Sequence, residues 1–470
     1  MSAARPGCSL VRVGRLESAH AHAAQRRRIR HIRSLLIEQA QDNAAAALAP
    51  LTAPELAELL LHLRPQELAA LEPLVGTERL ADAMANLDPA EAARLIVRFS
   101  RPSAADILEE MGPDDATDVV EELGEGVAEG ILAEMEGADA AEIRELMTYE
   151  PDTAGGRMTP KFISIPPEAS VASALRLIRV QAPEVETVYY TYVTDKNGQL
   201  VGIVSLRDLV TANPQQLISD IMRRQVIRLP ASTDQEEAAQ VLMAHDFMAL
   251  PVVDDAGRLI GVITADDVAD VLQEEASEDI ERLGGSEPLD EAYLSTPLRH
   301  LFRKRVPWLL VLFVAGTYTS FVLEAFSATL ERAVALAFFI PLLIGTGGNV
   351  GSQIVTTVVR AMALGHVGLG DFWRVLGREM LLSLTVGLVI AVAMLIRAES
   401  MLIDQRVVLV VALAAPGVVL WASLLASVLP LVLQRLRIDP AVASAPLLTT
   451  LVDGTGLLLY LTMARALLNI

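Results

Sequence analysis

Beyond residue 305 the chain is laid out in long stretches without charge. Residues 306–323, 333–359, 380–396 and 407–433 contain no Lys, Arg, Asp or Glu, and residues 440–464 contain only Asp453. Each stretch has about the length needed to cross a roughly 30 Å hydrocarbon core. A helix satisfies its own backbone in lipid, so the stretches predict an all-α transmembrane bundle of five helices. Arg299, Arg303, Lys304 and Arg305 precede the first stretch. Arg360, Arg374 and Arg378 lie between the second and third, and Arg435 and Arg437 between the fourth and fifth. The other loops hold Arg332, Arg397 and Arg406, partly offset by acids. This bias puts the preceding half in the cytoplasm, and five spans then leave the C-terminus outside.

Asp453 poses the sharpest chemical question. A carboxylate at the centre of a span costs about 2.5–3.5 kcal/mol. It can pair with a buried Arg, stay protonated and structural, or face a water-filled cavity and attract cations. No Arg lies within an uncharged stretch, which favours the third reading. A carboxylate suits hard, oxygen-seeking cations such as Mg²⁺, and two copies about a dimer axis hold a hydrated ion better than one. The second stretch contains FFIPLLIGTGGNVGSQIVTTVV. Pro341 and Gly345, Gly347, Gly348 and Gly351 predict a helix interrupted in mid-membrane, with Asn349, Ser352 and Gln353 adding polar side chains there. It reads either as tight packing through small residues or as a broken helix lining a hydrated path.

The 470 residues carry a net charge of −21 yet are 52% hydrophobic. Segregation resolves the conflict. Residues 286–470 hold 13 Lys and Arg against 11 Asp and Glu, and residues 1–285 hold 25 against 48. An acidic soluble half therefore precedes a nearly neutral membrane half, and such an acid excess argues against a nucleic-acid partner. Cys8 is the only cysteine, so neither an intrachain disulfide nor a cysteine-based metal site is expected. The basic run RRRIRHIR at 26–33 has no apolar segment before it and reads as a helix face, solvated or touching lipid headgroups, rather than a signal peptide.

The soluble half contains two repeats. Leu51, Leu63, Val75, Leu87, Phe99, Met111, Leu123 and Met135 recur every 12 residues, several followed by turn residues. Such units predict short stacked helices in an α-superhelical array. Within it, Asp114 and Asp118 share a helix face. Further on, the segment 158–178 is echoed at 222–243, and TYVTDKNGQLVGIVSLRDLV (191–210) at PVVDDAGRLIGVITADDVAD (251–270). The pattern predicts strand, helix, strand, turn, strand, helix, twice over. GIVSLRD matches GVITADD position for position, Gly202 with Gly261 and Asp208 with Asp267. The pair resembles tandem CBS domains, an α/β Bateman module that binds adenine nucleotides or serves structure alone. The CBS resemblance assigns ribose contacts to Ser205, Asp208, Thr264 and Asp267. Asp246, Asp267 and Asp270 crowd the second unit, with Asp234 and Glu236 upstream and the acidic segment QEEASEDIERLGG (273–285) after it. Such carboxylates repel, and a divalent cation would draw them together and bias one of two domain arrangements.

Together these parts resemble the MgtE family of magnesium channels. EPDTAGGRMTP (150–160), ALAFFIPLLIGTGGNVGSQ (335–353) and DPAVASAPLLTTLVD (439–453) carry the resemblance. It implies a homodimer in the inner membrane, with one ion path on the two-fold axis and Asp453 of both chains as the ion site. The pore-lining candidates are Asn349, Gln353 and Ala445. It implies cytosolic Mg²⁺ sites at Asp114, Asp118, Asp234, Glu236, Asp246, Asp267, Asp270, Glu275, Glu278 and Asp279. It also implies regulatory ATP on the CBS module, near Arg207, Asp208 and Phe247. Ser352 stands where the family often has Asn, Ala445 where it has Asn or Gly, and Gln273 where it is often acidic.

The expected organisation is an N-terminal extension (1–30), the acidic array (31–150), CBS units (151–218 and 219–272), a linker or plug helix (273–303) and the membrane domain (304–470). The expected function is a gated Mg²⁺ conduit, open to other divalent cations, that closes when cytosolic Mg²⁺ is plentiful. No G-x-x-x-x-G-K-[ST] loop is present, so transport is expected to run down the gradient. An enzyme is not expected, because the His residues are scattered and no nucleophile–base pairing is evident. The alternatives are a non-conducting membrane sensor of nucleotide or divalent cation, in which Asp453 is dispensable, and another CBS-coupled transporter such as a chloride channel.

Overall fold

A computed structural model of the chain describes residues 27–289, 293 and 296–469. Cys8 and most of the N-terminal extension lie outside the described residues. The chain divides at Val271/Leu272 into two units.

In the first unit the 12-residue period sets helix starts. Helices begin at Ala53, Pro65, Thr77, Pro89, Arg101, Pro113, Glu125 and Gly137. Proline at the first or second helical position of five of them fixes φ where no backbone donor is needed. Alternate helices pack on one another, which stacks the array. The recurring apolar residues all lie in, or pack against, one core. Helix α1 (Pro113–Glu121) carries the acidic face.

Two three-stranded sheets follow. Strands β1 (Ser164–Ile165), β2 (Tyr190–Thr194) and β3 (Leu200–Ser205) form one, and β4 (Leu229–Pro230), β5 (Ala249–Val253) and β6 (Leu259–Thr264) the other. In each, the first pair is parallel and the second antiparallel, with an irregularity at the same step. The matched glycines have a packing reason. A Cβ on Gly202 would lie 2.7 Å from Met222 Sδ, and one on Gly261 2.6 Å from Met158 Sδ. Each repeat thus inserts its leading methionine over the other's sheet. The EPDTAGGRMTP segment straps the second repeat through backbone bonds: Ala154 N to Thr233 O, Gly155 N to Ala231 O, and Gln235 N to Asp152 O.

The second unit holds five helical segments long and apolar enough to cross a membrane among the described residues. They are α3 (Leu298–Ala325), a 3₁₀ turn Val334–Phe339 running into α4 (Ile340–Ala363), α5 (Phe372–Ser400), α6 (Gln405–Arg435) and α7 (Ala445–Leu468). The helices outrun the uncharged stretches because terminal Arg and Lys heads reach the interface while their stems stay apolar. The expected mid-membrane break is corrected. Pro341 sits at the start of α4, where its missing donor costs nothing, and the glycines lie inside an unbroken helix. The irregular backbone is the 3₁₀ turn before it, where Leu336 O accepts from the buried Tyr460 hydroxyl at 3.0 Å. Gly347, Gly348 and Gly351 serve close packing: added Cβ atoms would meet Val418 and Val452, Thr449, and Leu448 at 2.8–2.9 Å.

The linker also differs from expectation. Its helix, α2 (Ala265–Leu283), starts directly after β6 and ends well before 303. Gly285 closes it with φ +76°, its N–H and that of Ser286 capping the last turn. An alanine there would be strained, and its Cβ would lie 2.8 Å from Trp308 Nε1 and 3.2 Å from Pro446. Gly285→Ala is expected to destabilise the full chain by about 1–2 kcal/mol from the left-handed backbone alone. Apparent Tm in detergent checks this. A Trp308→Leu background should recover the contact part of the loss and not the backbone part.

Candidate functional site

Asp453 lies on α7, about two and a half turns past the Ser444 cap that starts the helix. Its Oδ1 is buried and has no hydrogen-bond partner, and no ion pair reaches it among the described residues. A buried carboxylate oxygen left unpaired is a costly arrangement that a bound cation would relieve. The turn is well supported around it. Thr455 Oγ1 accepts from Trp421 Nε1 of α6 at 2.8 Å, and α4 packs closely through its glycines. Ser352 Oγ lies 3.4 Å from Thr449 Oγ1, so this departure from the family pattern joins the α4–α7 contact. Asn349 and Gln353 are exposed one turn apart on α4. Ala445 is the first residue of α7, about 12 Å of helix rise from Asp453.

In the first unit one carboxylate oxygen from each of Asp114, Glu186 and Asp267 lies within 4.8 Å of the other two. Asp114 comes from the first turn of α1 and Asp267 from the first turn of α2, while Glu186 precedes β2. Burial and the neighbouring Asp267 push Asp114 up to about 7. Burial with Asp114 beside it pushes Asp115 and Glu186 up to about 8. Burial also raises Asp267, against hydrogen bonds from Thr264 that favour its charged form. Hard oxygen donors at this spacing fit Mg²⁺, directly or through its retained waters.

The remaining expected ligands do not join this group. Asp118 is engaged by Arg157 at 3.0 Å, which also donates to Gln235 at 2.9 Å. Asp234 caps the helix Gln235–Ala244 by accepting from Glu236 N. Glu236 accepts from Gln240. Asp246 is exposed with φ +52°, and Asp270 is exposed on α2. Glu186 was missed because nothing in its spacing links it to Asp114 or Asp267; only the sheet topology brings it there.

The strand-end motifs have a local explanation. Ser205 Oγ donates to Asp208 Oδ2 at 2.7 Å and accepts from Asp208 N, capping the short helix after β3. Thr264 Oγ1 donates to Asp267 Oδ2 at 2.5 Å and approaches Glu186 Oε1 at 3.3 Å. Arg207 is exposed, and Phe247 stacks on His245 at 5.3 Å.

In the second unit Arg282 of α2 pairs with Glu278 at 2.6 Å and with Asp439 at 2.5 Å. Asp439 caps the turn Pro440–Val442 that leads into α7. Burial, then the Asp439 charge, raises Asp279 above the usual carboxylate range, with Arg282 opposing. Glu275 is half-buried on the same helix. Asp439 escaped the sequence reading because an Asp before Pro reads as a turn former.

A family model described as a divalent cation transporter, MgtE, matches residues 340–463. The MgtE intracellular N domain matches 51–152, and CBS domains match 154–214 and 218–274. The magnesium transporter MgtE of Thermus thermophilus is 42% identical over 330 residues, 70% of this chain and 73% of that protein. That of Enterococcus faecalis is 37% identical over 323 residues, 69% and 71% of the two chains. A crystal structure of the soluble part of a magnesium transporter aligns with a TM-score of 0.50 at 32% identity, covering 54% of this chain and 99% of that one.

Proposed function

The chain belongs to the MgtE family of magnesium transporters, and we propose that it conducts Mg²⁺ into the cytoplasm as a homodimer with Asp453 at the ion site. The observation that carries this reading is the buried Asp453 oxygen inside the membrane unit, which has no hydrogen-bond partner among the described residues. Its neighbours are apolar, small or hydroxylated, so a hydrated divalent cation is the partner its chemistry calls for. Asn349 and Gln353, exposed on α4, line the path in this reading, with Ala445 at the cytoplasmic mouth. Moving two charges inward through about 100 mV releases roughly 4.6 kcal/mol, enough to drive uptake without ATP hydrolysis. The membrane is the inner membrane, the N-terminal domains are cytoplasmic and the C-terminus lies outside.

Closure is assigned to the carboxylates of the first unit. Asp114, Glu186 and Asp267 draw together when their repulsion is neutralised by cytosolic Mg²⁺, and α2 carries that change toward Asp439 and the start of α7. ATP on the CBS module, near Ser205, Asp208 and Thr264, is a regulator in this reading and not a fuel. Proteoliposomes reconstituted with the full chain test it: Mg²⁺ influx should follow an inward gradient and fall when Mg²⁺ is loaded inside. Protease cleavage of the soluble half should slow when Mg²⁺ is added. No influx above empty liposomes would remove the conduction reading in favour of a membrane sensor; cleavage indifferent to Mg²⁺ would remove the switch.

A further inference from the structure

The turn of α7 that carries Asp453 is gripped from two sides by aromatic residues. On one side is α3, which contributes little else to the unit's interior: Val322 is its one fully buried residue. Its close approach to α7 falls at Gly454, directly after Asp453. A Cβ on Gly454 would lie 2.4 Å from Tyr318 Cδ1, 3.0 Å from Cε1 and 3.2 Å from Thr319 Oγ1. The edge of the Tyr318 ring therefore rests on bare backbone, a contact available only because residue 454 has no side chain. On the other side Trp421 Nε1 of α6 donates to Thr455 Oγ1 at 2.8 Å, and that hydroxyl in turn donates to Leu451 O. Among the described residues no hydrogen bond orients Asp453 Oδ1, so the backbone turn bears directly on where the carboxylate points.

We infer that Tyr318 and Trp421 are positioning residues that clamp the 453–455 turn and so fix where the Asp453 carboxylate meets the passing cation. This rests on the reading of Asp453 as the ion site. Mg²⁺ demands near-ideal geometry and sheds water reluctantly, so a small rotation of α7 changes how a carboxylate reaches its hydration shell. Residues that orient a metal ligand without touching the metal typically contribute about 10–100-fold in affinity. The ring edge, not the hydroxyl, makes the Tyr318 contact.

The test measures Mg²⁺ influx in proteoliposomes against external Mg²⁺, separating half-saturating concentration from maximal rate, for Tyr318→Phe, Tyr318→Ala, Trp421→Phe and Asp453→Asn. Tyr318→Ala and Trp421→Phe should each raise the half-saturating concentration roughly 10-fold. Tyr318→Phe, which keeps the ring edge, should match wild type. Gly454→Ala should impair influx, and Tyr318→Ala in that background should return it to the level of Tyr318→Ala alone, because the clash is gone. A half-saturating concentration within about twofold of wild type in Tyr318→Ala, well inside the expected range, overturns the clamp while a dead Asp453→Asn leaves the ion site standing. Wild-type influx through Asp453→Asn overturns the ion site and the clamp with it.

Discussion

Asp453→Asn is expected to cut Mg²⁺ influx by roughly 100-fold while leaving the protein monodisperse in detergent. The magnitude follows from what the carboxylate must offset. Holding it in a span costs about 2.5–3.5 kcal/mol, so its attraction for the cation is at least of that order, and each ~1.4 kcal/mol is a factor of ten. Asparagine keeps the shape and removes the charge. Nothing else among the described residues bonds to Oδ1, so the substitution breaks no structural pair. Influx falling far below wild type with intact folding supports the ion site. Influx within about twofold of wild type, a difference worth only a few tenths of a kcal/mol, means the carboxylate serves something else.

The parts of this chain that depend on short periods were legible in its sequence. The 12-residue recurrence of Leu51 through Met135 marks where helices begin, because each unit buries one apolar face against its neighbours. The CBS echo gave strand order and turns, since Gly202 and Gly261 occupy equivalent places in equivalent sheets. The membrane spans followed from length and hydropathy alone. Glycine content was the poorer guide. At Gly347, Gly348 and Gly351 it signals close packing of α4 against α6 and α7, not a break, because neighbouring helices supply what a lone helix in water would lack. Partners distant in sequence were not legible at all. Glu186 meets Asp114 and Asp267 only through the fold, and Arg282 meets Asp439 across most of the membrane unit's sequence. Nothing in the first span's sequence singles out Tyr318, whose role comes from the Gly454 backbone beneath it.

Neutralising the acidic cluster should separate regulation from conduction. Asp114→Asn, Glu186→Gln and Asp267→Asn combined are expected to leave Asp453-dependent influx intact and abolish its shut-off by internal Mg²⁺. The same variant should lose the stabilisation, read as a rise in apparent Tm, that Mg²⁺ gives the wild type; one site at about 100 times its Kd contributes about 2.7 kcal/mol. The pH dependence has a definite sign. Asp114 is raised to about 7 and Glu186 to about 8, from ordinary values of 3.8 and 4.5. The folded, Mg²⁺-free cluster therefore holds protons that the unfolded chain has already released, and wild-type stability without Mg²⁺ falls as pH rises from about 4 to 8. Mg²⁺ binds the deprotonated carboxylates, so the Mg²⁺-induced gain in Tm must grow across the upper part of that window. The neutral variant, with no carboxylates in the trio to titrate, should show a flatter Tm against pH and no growth in the Mg²⁺ gain. If the wild-type gain is instead constant from pH 6 to 8, values chosen to bracket Asp114, the cation is not held by these protonatable oxygens. If the variant still shuts off normally, closure is governed elsewhere, and the Glu278–Arg282–Asp439 contact at the end of α2 becomes the next place to cut.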